Sequence, residues 1–310
     1  MKSLIVPLIL LIAVQTVAAN TIVVTIPDFR PIAKAVAGDE FEVVSLIPPG
    51  SDPHSFTLSV EDVEKLRNAD LIVLANSEFF DFEAKITKEF SNVVDFEDYN
   101  AVLTDFPGYP SNPHGYWMLP ENAVRIAKAI KDRLEEEYPD KRDYFEKNYE
   151  IFVDRVEEAL KEARDIASEE EGKEYVAMVP GVCYTASSLG IKIGAVVISE
   201  GAGIASGKEL QEIKHGLESG KYSGIILPEF MKGSRGEEIA KELVKGSGAK
   251  IAWVKFSVGD TAYDVLVISN AARIAYAAGE CESNDRTLLY LLSTLTVFEA
   301  LLIALLMVRG

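Results

Sequence analysis

Pro48-Pro49-Gly50-Ser51-Asp52-Pro53-His54-Ser55-Phe56 joins a short apolar run at 41–47 to a helix start at Ser59. The three prolines fix φ and Gly50 permits a sharp turn, so little conformational freedom is left in the loop. Its one imidazole, His54, therefore stands on a rigid loop just past a predicted strand. Open α/β sheets bind their ligands at such strand ends. A second histidine held behind a proline occurs in Asn112-Pro113-His114, which leads into Leu119-Pro120-Glu121-Asn122-Ala123.

Outward from this loop, short apolar runs alternate with helical patterns. Strands are predicted at 22–26, 41–47, 71–75 and 93–94. The intervening helices lie at 31–37 (closed by Gly38), from Ser59 with Asp62 completing a capping box, and at 76–86. This alternation implies a parallel sheet covered on both faces. After a loop at 100–116, Pro120 opens a helix over 121–137 and Pro139 breaks it. A second helix is expected from about 140 to 167. There Phe145, Tyr149, Phe152, Val156, Leu160, Ala163 and Ala167 keep three-four spacing, and its length is about 40 Å. The alternation then repeats, with strands at 175–179, 195–198, 224–227 and 250–254. Its helices start at Ser206 (capping box with Glu209) and span 235–244 and 262–278.

The expected fold class is α/β: two lobes, each a mostly parallel sheet flanked by helices, joined by a long rigid backbone helix, plus a C-terminal transmembrane helix. The limits read as signal peptide 1–19, N-terminal lobe 20–118, connecting helices 119–171, C-terminal lobe 172–279 and membrane anchor 287–308. Lys2, an apolar run at 4–14 and Val17-Ala18-Ala19 carry the signal-peptide reading. The anchor reading rests on the almost wholly apolar stretch 287–308, interrupted by Glu299. The expected location is thus the cell surface, exported and tethered to the membrane at the C-terminus. With 49 acidic against 31 basic residues and a net charge of −18, nucleic acid is excluded as a partner. No GxGxxG, GxSxG, P-loop or HExxH occurs, so no enzyme is expected.

Pro48 to Phe56, followed by Val60-Glu61-Asp62-Val63 and Ala69-Asp70-Leu71, resembles the metal-binding solute receptors of zinc/manganese ABC importers. Asn112-Pro113-His114-Gly115-Tyr116-Trp117 and Pro120-Glu121-Asn122-Ala123 are similar to that family's second metal-histidine motif and the start of its long helix. The likeness runs from about 22 to 278. It implies a divalent metal, zinc or manganese, as ligand in an interlobe cleft, a membrane permease as partner, and a backbone helix that limits hinge motion. By the same resemblance His54 and His114 are metal ligands, and Asn76-Ser77 and Glu83 lie beside the site.

Lobe two departs from the family's pattern. Its third ligand stands five residues before a tyrosine, and counting back from Tyr184 reaches Val179. Its fourth, an aspartate before a turn, corresponds to Phe256. The substitutes are Glu229, behind Pro228 at a strand end, then Asp260 and Glu200. His215 reads as a surface residue, and a disulfide between Cys183 and Cys281 is permitted in an exported protein. Two functions follow. The first is a receptor that captures a divalent metal through His54, His114, Glu229 and Asp260 and passes it to the permease. The alternative is a receptor of the same fold that has lost metal ligands and takes another solute or a metal chelate, or serves as an accessory surface protein.

Overall fold

A computed structural model describes residues 20–51, 53–199, 203–256 and 261–279. In lobe one, β1 (Asn20–Val24), β2 (Phe41–Ser45), β3 (Leu71–Val73) and β4 (Val93–Val94) form a parallel sheet in the order β2-β1-β3-β4. Ile22 lies opposite Val43 on one side and Leu71 on the other. Ile22, Val23 and Val24 are fully buried, as a central strand covered on both faces requires. Helices α1 (Arg30–Ala37), α2 (Val60–Arg67), α3 (Asp81–Glu89) and the single turn α4 (Phe96–Tyr99) flank it. The expected capping box is present at α2: Ser59 Oγ accepts from the Asp62 backbone N–H, and the Asp62 carboxylate accepts from the Ser59 N–H.

Two helices connect the lobes, α5 (Pro120–Glu137) and α6 (Arg142–Ile166). At 25 residues α6 is about 37 Å long. Near its start, the Tyr144 hydroxyl accepts from the Asp39 N–H and the Asn148 amide donates to the Val36 carbonyl, both in lobe one. Further on, Arg155 holds the Asp264 carboxylate at 2.6 and 2.9 Å and Arg164 donates to the Ser188 carbonyl, both in lobe two. One stiff helix therefore lies against both lobes.

Lobe two begins with β5 (Glu174–Ala177), the short helix α7 (Cys183–Ser188) and β6 (Lys192–Val196). A two-stranded antiparallel ribbon of β7 (Ile198–Ser199) and β8 (Gly203–Ile204) follows, then α8 (Gly207–Glu218), β9 (Gly224–Pro228), α9 (Arg235–Val244), β10 (Lys250–Val254) and α10 (Tyr263–Ala275). Its parallel sheet runs β10-β9-β5-β6. Ser206 and Glu209 cap α8 reciprocally. The lobes are not separate packing units. Tyr184, Tyr263 and Leu266 of lobe two belong to the same buried cluster as Phe29, Tyr116 and Trp117 of lobe one, and the Tyr263 hydroxyl donates to the Trp117 carbonyl.

One part of the expected architecture is corrected. No helix among the described residues is long and apolar enough to cross a membrane. The transmembrane helix therefore has no place in the fold observed, and the stretch 287–308 assigned to it lies outside the described residues, as does the signal sequence 1–19. The short helix α7 and the β7–β8 ribbon were not anticipated: α7 has too few residues for a periodicity, and β7 and β8 are two residues each.

Candidate metal site

A cleft of about 590 Å³ lies between the lobes. Most of its lining follows the carboxyl end of a parallel strand. Ile26, Pro27 and Asp28 follow β1; Pro49, Gly50, Ser51, Pro53 and His54 follow β2; Phe79 and Phe80 follow β3. From lobe two, Val179 and Gly181 follow β5, Glu229 and Phe230 follow β9, and Lys255 and Phe256 follow β10. The two sheets thus aim their carboxyl ends at one space, which is where parallel sheets place ligands.

The histidines predicted from sequence meet there. The His54 and His114 ring centroids are 6.1 Å apart. Phe79 touches both rings edge-on, at 5.1 Å from His54 and 4.7 Å from His114, and Phe80 packs on His54 at 5.0 Å. Gly50 takes φ +82° in the loop that carries His54, the left-handed turn expected of it.

Asn112 orients His114. The Asn112 amide nitrogen donates to the Pro180 carbonyl at 3.0 Å, which turns its oxygen toward the histidine. That oxygen accepts from the His114 backbone N–H at 3.0 Å and lies 2.8 Å from His114 Nδ1. An amide oxygen cannot donate, so Nδ1 carries the proton and Nε2 presents its lone pair. That is the tautomer a metal needs, set by a hydrogen bond on the ring's other nitrogen. Nε2 is itself buried. Two imidazole nitrogens are donors that a divalent ion accepts, and they are two of the three or four it needs.

The loop entering α3 is fixed by Glu83, whose buried carboxylate accepts from the backbone N–H groups of Ala75 and Asn76 at 2.9 and 2.6 Å. Burial pushes its pKa up to about 7, although these hydrogen bonds and one with Thr25 act the other way. The Ser77 hydroxyl donates to Asp95. These residues shape the loop behind Phe79 and Phe80 and point no ligand into the cleft.

Glu229 lines the cleft. Its carboxylate lies 2.6 Å from Lys232 Nζ, 3.0 Å from Arg273 Nη1 and 4.0 Å from Lys255 Nζ. Burial raises its pKa, but the hydrogen bonds from Lys232 and Arg273 outweigh that and leave it lowered. Val179 and Phe256 also line the cleft, on the lobe-two side. Asp260 and Glu200 lie outside the described residues. Among the described residues no group of three or more His, Cys, Asp or Glu side chains is spaced to hold a metal. His215 is exposed on α8. Cys183 is buried, its thiol pushed up to about 12 by burial, and Cys281 lies outside the described residues.

Sequence reasoning missed Asp28, Lys255 and Phe230. Asp28 is a buried carboxylate in the cleft wall, and its position just after an apolar strand was the available signal. Lys255 and Phe230 are also strand-end residues, but ordinary composition disguises them.

The family of the periplasmic component A of the zinc-uptake complex matches residues 22–275. The zinc-binding lipoprotein AdcA of Streptococcus pneumoniae R6 is 26% identical over 247 residues, covering 74% of this chain and 48% of AdcA. The manganese ABC transporter substrate-binding lipoprotein PsaA of Streptococcus mitis is 28% identical over 170 residues, covering 49% of this chain and 50% of PsaA. The chain thus spans about half the length of these relatives. The crystal structure of ZnuA superposes with a TM-score of 0.70 at 22% identity, over 84% of this chain and 99% of that one. The shared fold is the two-lobed one described above.

Proposed function

Since the chain belongs to the family of the periplasmic zinc-uptake component, a family of metal ABC transporter solute-binding proteins and not of enzymes, we propose that it captures a divalent metal between its lobes and hands it to a membrane permease. Zinc and manganese are the metals proposed, since AdcA is a zinc-binding and PsaA a manganese-transporter lipoprotein. We further place the working protein outside the cytoplasm, as the family description "periplasmic" and the lipoprotein relatives suggest.

The observation that carries the reading is the pair of imidazoles, His54 and His114, delivered to one cleft by two proline-stiffened loops, with the His114 tautomer set by Asn112. Two neutral imidazoles suit zinc or manganese once oxygen ligands join them. In this reading His54 and His114 bind the metal. Glu229 and Asp260 are the further candidate ligands, the Glu229 carboxylate being held by Lys232 and Arg273.

The test is thermal unfolding of the metal-stripped protein with and without added zinc or manganese. A ligand that binds only the folded state must raise Tm. The expected result is a rise in the wild type that is lost in both His54→Ala and His114→Ala. A wild-type Tm indifferent to both metals rejects the function.

A further inference from the structure

The two walls of the cleft differ in chemistry. Lobe one contributes both imidazoles and the buried carboxylate of Asp28. Lobe two, among its described residues, contributes Glu229 and Lys255 to the lining, and Lys232 and Arg273 hold the Glu229 carboxylate from beside it. Lys255 gives that wall a cation to which an anionic group entering the cleft is drawn.

The same wall is aromatic. Phe230 and Phe256 meet edge to face with ring centroids 5.8 Å apart, and Phe230 is 60% exposed although it lines the cleft. Exposed aromatic surface inside a concave site marks a place for organic contact. The cleft volume of about 590 Å³ falls within the range of small-molecule sites and far exceeds the needs of one ion.

We propose that the cleft takes its metal as a complex with a small anionic organic chelator, His54 and His114 completing the metal's coordination while Lys255 and the Phe230–Phe256 pair hold the chelator. This rests on the metal-receptor reading above and names the form in which the metal arrives. The chelator supplies oxygen ligands beyond the two imidazoles. Its remaining carboxylates meet Lys255 through charge-assisted hydrogen bonds.

The experiment is equilibrium binding to the metal-stripped full chain, with two probes: zinc alone and zinc preformed with nitrilotriacetate. The latter is a tricarboxylate chelate that is net negative and leaves coordination positions open. The chelate is expected to bind at least about tenfold more tightly than zinc alone. Lys255→Gln should weaken the chelate about tenfold, the scale of one hydrogen bond to a charged group, without weakening zinc alone. The Lys255 backbone N–H, which donates to Asn270, is untouched by this substitution. Phe256→Asp, which puts a carboxylate on the aromatic wall, should shift the preference toward zinc alone. Zinc alone binding as tightly as the chelate, or a Lys255→Gln variant with undiminished chelate affinity, overturns the proposal and leaves the metal receptor standing. If neither probe binds, the receptor reading falls and the proposal with it.

Discussion

The side-chain amide of Asn112, in lobe one, donates to the carbonyl oxygen of Pro180, in lobe two, at 3.0 Å. The Asn112 backbone carbonyl in turn accepts from the Tyr184 hydroxyl at 2.6 Å. The residue that sets the proton on His114 is therefore itself held by the opposite lobe. The orientation of the His114 ring and the relative pose of the lobes are linked through one side chain.

Asn112→Ala removes that link without touching a proposed ligand. Replacing a residue that orients a metal-binding histidine lowers affinity by about 10- to 100-fold. The expected result is a loss of that size in a zinc titration, with the folded state retained. Unchanged affinity would mean that the His114 ring is oriented by its other neighbours alone.

Glu83 predicts a pH dependence. Its pKa rises from an ordinary 4.5 to about 7 on folding, so the protonated form is the one favoured in the native state. Its contribution is complete below pH 4.5 and is lost as pH rises through 7. The loss is on the order of 3 kcal/mol. Wild-type Tm should therefore fall between pH 5 and 8 more steeply than that of Glu83→Gln. Parallel curves for the two proteins would count against Glu83 as the titrating group.

Gly115 takes φ +70°, and a Cβ on it would lie 2.3 Å from the Gly181 carbonyl oxygen. Gly115→Ala therefore combines backbone strain with a clash between the lobes. Destabilisation of about 2 kcal/mol or more is expected, together with weaker zinc binding, because His114 is the preceding residue. Chemical denaturation and titration of the same variant check both.

Little opening between the lobes is expected on ligand binding. α6 braces both, and Tyr184, Tyr263 and Leu266 fill lobe one's core. Hinge closure needs flexible connections and a surface that can part. Small-angle scattering with and without zinc should give the same radius of gyration. A large contraction would show that the shared core separates in solution.

Much of the fold was legible in sequence because its signals are local. The capping boxes at Ser59 and Ser206 and the strand at 250–254 appear where their residues predicted them. So did the meeting of His54 and His114, because each motif carries its own rigid loop. Other features depend on long-range contacts that no local pattern encodes. The cation cluster around Glu229 draws Arg273 from 44 residues away, and nothing around Pro228-Glu229 predicts it. The role of Asn112 became visible only with Pro180 beside it. Composition suggested a membrane helix at 287–308, and no such helix occurs among the described residues.

The sharing of lobe one's core has a consequence for the order in which the molecule is made. A ribosome delivers β1 to α5 well before α10, yet Tyr263 and Leu266 of α10 occupy lobe one's interior. The first-synthesised half must therefore wait, with part of its apolar interior uncovered, until α10 has emerged. Domains usually fold as independent units during synthesis. This protein instead completes its first lobe with one of its last helices, so a truncation before Tyr263 should damage the half of the molecule it leaves intact.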